Sequence, residues 1–163
     1  MIFVTVGTHE QPFNRLVEYM DQWAAAHEEE VIMQTGFSTN EPQHCEWSKL
    51  YPYPRMVELV SQARIVITHG GPSSFIMPLQ VGKIPVVVPR RKEFDENVND
   101  QQYEFSRAVA QRQGNIIVVE DVQKVGETLE NYDTLIQSMP AALQSNNVTF
   151  NQKLEQAVEA LFQ

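Results

Sequence analysis

Residues 64–74 read Arg64-Ile-Val-Ile-Thr-His-Gly-Gly-Pro-Ser-Ser74, a buried-strand pattern that runs directly into a helix start. The apolar run Ile65-Val-Ile67 lacks polar alternation, which suits the centre of a parallel sheet covered on both faces. His69, Gly70 and Gly71 then make a tight turn, and Pro72 pre-sets the first helical turn. Ser73 and Ser74 place hydroxyls beside main-chain N–H groups that have no partner within the helix. Such a strand-to-helix junction is one half of a βαβ unit, and its glycines let a phosphate-like anion approach the backbone. The same residues equally suit a plain βα turn with a good helix cap, so the surrounding loops have to decide.

Outward from this junction the chain alternates short β-rich runs with amphipathic stretches. Strands are expected at Ile2–Val6, Val31–Met33, weakly at Trp47–Tyr51, at Arg64–Thr68, Ile84–Val88 and Asn115–Val119. Helices are expected from Pro12 to about Ala26, around Met56–Val60, from Asn99 to about Arg112 with Gly114 as its stop, and from Val122 to about Met139. Pro78 lies inside the helix that starts at Pro72 and is expected to tilt or kink its first turns. A last helix is expected over about 148–162, with an apolar stripe of Phe150, Leu154, Val158, Leu161 and Phe162 and a Thr149/Gln152 capping box. These elements make one α/β domain over residues 1–163, a Rossmann-like, doubly wound, mainly parallel six-stranded sheet.

Composition excludes several classes. The 163 residues carry a formal net charge of -9, with 42% hydrophobic and 20% charged residues, ordinary values for a globular core and not for a disordered chain. An acidic chain repels a phosphate backbone, and the basic run is confined to Arg90-Arg91-Lys92, so no nucleic-acid partner is expected. The single cysteine, Cys45, rules out an internal disulfide and suits a reducing cytoplasm. No membrane span or targeting segment is expected, because no apolar run approaches roughly 18 residues and the opening MIFVTVGT lacks a basic segment and a cleavage motif. No metal-ligand spacing is found, and neither a metal nor a cofactor is expected. A dinucleotide fold would want G-x-G-x-x-G after the first strand, where this chain has Gly7-Thr8-His9-Glu10-Gln11-Pro12. A phosphoacceptor receiver would need acidic residues there, and the strand ends in Val6-Gly7.

Ligands of open parallel sheets bind at the carboxyl ends of the strands, near the switch point. That selects the loops Gly7–Glu10, His69–Ser74 and Pro89–Lys92. His9 and His69 then face one cleft, and either is a candidate general base near neutral pH. Arg90 and Arg91 read either as a solvated run or as charge neutralisation for an anionic ligand. His27 and His44 have no supporting context.

The blocks VTVGTHEQPFNRL and ITHGGPSSFIMPLQVGKIPVVVPRRKEFDENVNDQQ resemble the nucleotide-sugar-binding half of GT-B glycosyltransferases related to the peptidoglycan lipid II synthase. More closely they resemble the small subunits of two-piece enzymes: the PssE-like and EpsF-like transferases of exopolysaccharide and capsule synthesis, and the soluble subunit of the dolichol-linked N-acetylglucosamine transferase. The resemblance runs from residue 1 to about residue 120. It implies an inverting, β-linkage-forming, metal-independent hexosyl transfer from a UDP-sugar to a lipid-linked oligosaccharide. Carried onto this sequence, Gly7 and Thr8, with His69, Gly70, Gly71, Ser73 and Ser74, would hold the diphosphate. The Pro89-Arg90-Arg91 loop would border the uracil, and Asn99, Asp100, Gln101 and Gln102 would meet the sugar hydroxyls. Met77 stands where many relatives carry a ribose-binding glutamate. His9 is the candidate base for the acceptor hydroxyl.

The resemblance also implies a membrane-anchored partner that binds the acceptor and recruits a cytoplasmic chain to the inner face of the cell membrane. The last helix would dock that partner or pack on its own sheet, and self-association is left open. The alternative is a non-catalytic nucleotide-binding or scaffold subunit that stimulates a catalytic partner.

Overall fold

A computed structural model describes residues 1–139. The last helix over about 148–162, its capping box and its docking stripe lie outside the described residues.

Six parallel strands form one sheet in the order β3-β2-β1-β4-β5-β6. They are β1 (Ile2–Thr5), β2 (Val31–Gln34), β3 (Glu46–Ser48), β4 (Ile65–His69), β5 (Val86–Val88) and β6 (Ile117–Val118). The chain leaves β1 toward β2 and β3, then returns to place β4 on the other side of β1, with Thr5 level with Thr68. The expected doubly wound Rossmann-like sheet and its switch point between β1 and β4 are therefore present. Every residue of β1, β2, β4 and β5 is buried, which is why those segments lack polar alternation.

The helices are α1 (Asn14–Ala26), α2 (Tyr53–Gln62), α3 (Pro72–Gln80), α4 (Gln101–Gln113), α5 (Val125–Glu130) and α6 (Tyr132–Gln137). One face of the sheet packs Val4, Ile67 and Val86 against Leu16, Val17 and Met20 of α1 and Val125 and Leu129 of α5. The other face divides in two. Phe3, Ile32 and Val66 meet Leu59 and Val60 of α2, while Val87 meets Phe75 and Leu79 of α3 and Val109 of α4.

Several expected boundaries move. α1 begins at Asn14, because Phe13 has non-helical dihedrals (φ -121°, ψ 58°) and its N–H is held by the Ser38 hydroxyl. β3 stops at Ser48, whose hydroxyl bends back to the Leu50 carbonyl ahead of Pro52. α4 begins at Gln101, where the Asn99 side chain accepts the Gln101 N–H. It ends at Gly114 with φ 62°, the left-handed stop expected of that residue. The long helix expected from Val122 is a short 3-10 turn (Val122–Lys124) followed by α5 and α6, with a break at Asn131, whose side chain binds the Glu127 carbonyl. An asparagine that bonds its own backbone competes with helix continuation.

No helix links β2 to β3. The connecting loop is held on α1 by Asn14, which accepts the N–H groups of Thr39 and Asn40, and by the buried Asp21, which accepts those of Gln43 and His44. This leaves the carboxyl edge of β2 open beside the switch point.

Candidate functional site

The carboxyl ends of β1 and β4 converge at the switch point, and the side chain at the centre is His69. Its ring is 5% exposed and is gripped between two glycines. A Cβ on Gly7 or on Gly71 would collide with the imidazole. Gly71 has φ -68°, an ordinary value, so only space demands glycine there. Gly7 has φ 71° and needs glycine for both space and conformation. A Cβ on Gly70 would press on Gln102 and Ser106. The turn glycines thus seat a histidine and a neighbouring helix, a packing role beside the ligand approach expected of them.

His69 Nε2 lies 2.9 Å from the Ser74 hydroxyl, and Arg90 Nε donates to His69 Nδ1 at 3.3 Å. Burial, and secondarily the charge of Arg90, push the His69 pKa down to about 3. The ring is therefore neutral across the physiological range. Its unfolded counterpart binds a proton near pH 6.5, so the unfolded state is favoured as pH falls from about 6.5 toward 3. Stability should fall by up to about 1.4 kcal/mol per pH unit in that window. Urea titrations between pH 7 and 5 should show a shallower slope for His69→Gln than for the parent chain. Equal slopes would contradict a neutral His69.

Arg90 is fully buried. Besides His69 it donates to the carbonyls of Val6 at 2.7 Å, Gln11 at 2.6 Å and Glu96 at 3.0 Å, and its guanidinium lies 5.1 Å from the centre of the Phe13 ring. Burial lowers its pKa to about 10, so it stays charged. The expectation that Arg90 offers a free charge to a ligand is not met: four of its five N–H groups are spent inside the protein. Arg91 turns outward, lies over the Tyr103 ring at 3.9 Å and pairs with Asp100 at 3.4 Å. The Asp100 carboxylate also accepts the Lys92 N–H at 3.0 Å, which lowers its pKa. Asp100 therefore faces the β5 loop, and its expected contact with sugar hydroxyls is not what this geometry provides. Glu96, missed in the sequence, closes the same loop through Arg15, with two contacts of 3.0 Å, and through the Arg91 N–H.

Two adjoining cavities meet at His9, Pro72 and Gln102. The larger holds about 600 Å³, within the roughly 300–1,000 Å³ of small-molecule sites. It runs from Gly7, Thr8, His69, Gly71, Ser73 and Ser74 to a wall of two aromatic side chains, Tyr51 and Tyr53, and two methionines, Met56 and Met77. The sequence offers Tyr51 only as the end of a weak strand and gives no signal for Tyr53, because only the β3–α2 turn brings them to the cavity. The smaller cavity is lined by amides, Asn97, Asn99, Gln101 and Gln102, with Val98 and Phe105. Pro89, Arg90 and Arg91 line neither, so the expectation that their loop borders a base there is not met.

At the start of α3, Pro72 has no N–H and the Ser74 N–H turns back to the Gly71 carbonyl at 3.0 Å. The first-turn donors left toward the cavity are the Ser73 N–H and the two serine hydroxyls, beside the positive end of a nine-residue helix. His9 lies between the two cavities. Its Nδ1 accepts the Gln11 N–H at 3.2 Å, so the neutral ring carries its proton on Nε2. Burial first, and Arg90 second, lower its pKa. In this arrangement His9 is a hydrogen-bond donor, and the expected general base would have to give up the Gln11 contact.

A parallel sheet with its cleft at the β1/β4 switch point, beside a helix start, defines a Rossmann-like class of α/β domain. The sequence matches the family model "Glycosyltransferase family 28 C-terminal domain" over residues 1–161, and the chain belongs to that family. Three solved glycosyltransferases share the fold. CalG4, the calicheamicin glycosyltransferase, is 15% identical with a TM-score of 0.61, covering 96% of this chain and 38% of that one. SnogD from Streptomyces nogalater is 16% identical with a TM-score of 0.56, covering 99% and 42%. The glycotransferase of kitacinnamycin is 17% identical with a TM-score of 0.55, covering 96% and 39%. This chain thus spans about two fifths of the length of those structures. No curated protein matches the sequence. Among the described residues no helix is long and apolar enough to cross a membrane, and no cluster of metal-binding side chains is present.

Proposed function

We propose that this chain binds the donor of a UDP-sugar-dependent, inverting hexosyltransferase that forms a β-linkage on a lipid-linked oligosaccharide in capsule or exopolysaccharide synthesis. The observation that carries the reading is the two-armed cavity that meets at the α3 start. The helix start with Ser73 and Ser74 suits a diphosphate, the aromatic wall suits a base, and the amide arm suits sugar hydroxyls. The uracil accordingly lies against Tyr51 and Tyr53 instead of the Pro89–Arg91 loop, and Asn99, Gln101 and Gln102 meet the sugar. Departing UDP develops negative charge, and positioned hydroxyls and N–H dipoles stabilise it without a metal or cofactor. His9 assists as a donor, and the base that deprotonates the acceptor belongs to the partner.

The partner is proposed as a membrane-anchored, acceptor-binding chain that recruits this domain to the inner face of the membrane. Six large hydrophobic side chains are exposed among the described residues, and five of them stand on the carboxyl-edge loops or the α2 start: Phe37, Leu50, Tyr53, Phe94 and Val98. Tyr53 and Val98 line the cavities themselves, and such exposed apolar side chains suit closure by a second body. The competing reading, a non-catalytic nucleotide-binding scaffold, draws support from Met77, whose thioether is only a weak acceptor for ribose hydroxyls.

Calorimetry with UDP tests the first step. Stacking on an aromatic ring is worth about 1–3 kcal/mol per base, so Tyr53→Ala should weaken UDP binding by about tenfold or more and leave pyrophosphate binding unchanged. Equal UDP affinity in Tyr53→Ala would remove the base from this wall. Transfer assays with the partner and UDP-galactose, UDP-glucose, UDP-N-acetylglucosamine or UDP-glucuronate then separate catalyst from scaffold. Full activity in Ser74→Ala and Gln102→Ala would favour the scaffold.

A further inference from the structure

Arg90 has no assigned part in the proposed reaction, yet its burial beneath the cradle sets a hydrogen-bond polarity. A guanidinium has donors and no acceptor. Its Nε–H points at His69 Nδ1 at 3.3 Å, so that nitrogen must hold a lone pair. A neutral imidazole has one acceptor nitrogen and one N–H, which puts the proton on Nε2. Nε2 is 2.9 Å from Ser74 Oγ, so Ser74 accepts there and its own proton is left to point elsewhere. The Ser74 side chain lines the larger cavity.

We infer that Arg90 is a positioning residue: acting through the tautomer of His69, it turns the Ser74 hydroxyl into a hydrogen-bond donor aimed at an anion on the α3 start. The inference rests on the nucleotide reading above and names what makes its diphosphate subsite donate. Reversing the tautomer reverses the sign. With the proton on Nδ1, Nε2 would accept from Ser74, and the cavity would meet serine lone pairs, which repel a phosphate oxygen. The polarity matters because the Ser74 N–H is already used by the Gly71 carbonyl and Pro72 has none, so the hydroxyl is one of few donors at this helix start. Gly7 and Gly71 close the ring from both sides and hold it against rotation. The depressed pKa of His69 fits a ring that stays neutral throughout the physiological range.

The tautomer is read by nitrogen NMR of the imidazole in the full wild-type chain, without any variant. The expected signature is a protonated Nε2 and an unprotonated Nδ1. A protonated Nδ1 in a chain that binds UDP would overturn the relay and leave the nucleotide reading standing. The second measurement is a double-mutant cycle in UDP and inorganic pyrophosphate binding. A hydrogen bond to a charged group supports a loss of about tenfold for Ser74→Ala. Arg90→Gln should lose about the same, and the double variant no more than either alone, because both act through one hydroxyl. Losses that multiply to about a hundredfold would make Arg90 merely structural and sink the inference. If Arg90→Gln does not fold, the wild-type tautomer still decides. Absence of UDP binding by the wild-type chain would overturn the nucleotide reading and, with it, the use made of the relay.

Discussion

Replacing Arg90 by methionine is expected to destabilise the folded chain by about 3–5 kcal/mol, because several buried neutral acceptors would lose their donor at once. Methionine fills a similar volume with apolar atoms, so the loss reports hydrogen bonding more than a cavity. The carbonyls of Val6, Gln11 and Glu96 and the His69 Nδ1 would all lose a donor while buried, and each unsatisfied acceptor costs about 1–3 kcal/mol. These groups belong to the β1 loop, the β4 end and the β5 loop, so one side chain ties together the three loops that form the cleft. Urea unfolding followed by circular dichroism measures the change. A loss under about 1 kcal/mol would mean that water or a neighbouring group replaces the guanidinium, contrary to the burial described here.

The second large effect is expected at the glycines that grip His69. Gly71→Ala places a methyl group in the ring of an imidazole that Arg90 and Ser74 already hold from two other sides. The ring must leave, both hydrogen bonds break, and the α3 start shifts. Stability should fall by about 2–4 kcal/mol, as for overpacking combined with a broken buried network. UDP affinity should fall by about a hundredfold, the scale of two lost hydrogen bonds near a charged ligand. Gly82→Ala is the control: that glycine has φ 78° but nothing within reach of an added Cβ. Left-handed backbone alone costs about 1–2 kcal/mol, and nucleotide binding should be unchanged. Calorimetry on both variants separates the cases, and near-parental UDP binding in Gly71→Ala would show that the ring is not locked.

How much was legible can be traced residue by residue. The buried strands announced themselves because a parallel sheet covered on both faces admits no polar alternation, as in Ile65-Val-Ile67. The loops of the cleft followed from the switch-point rule, and His9, His69, Gly71 and Ser74 do gather at one place. The roles within that place were less legible. Arg90 and Arg91 are adjacent in sequence and look alike as charges, yet one is fully buried and the other lies over Tyr103 at the surface. Nothing local distinguishes them, because successive residues after a strand point to opposite sides and only the packed loops decide which side is core. Asp100 likewise carries a motif position but spends its carboxylate on Arg91 and the Lys92 N–H.

Local chemistry therefore determined most element types, the alternation that makes a doubly wound sheet and the strand-to-helix turn at His69–Ser74, since propensity, periodicity and turn residues act over a few positions. Three-dimensional packing decided which charges are free, which tautomer His69 holds, and that Tyr51 and Tyr53 wall the cavity. Those properties depend on desolvation and on hydrogen bonds between residues as far apart as Val6 and Arg90, separations at which a linear pattern carries no signal.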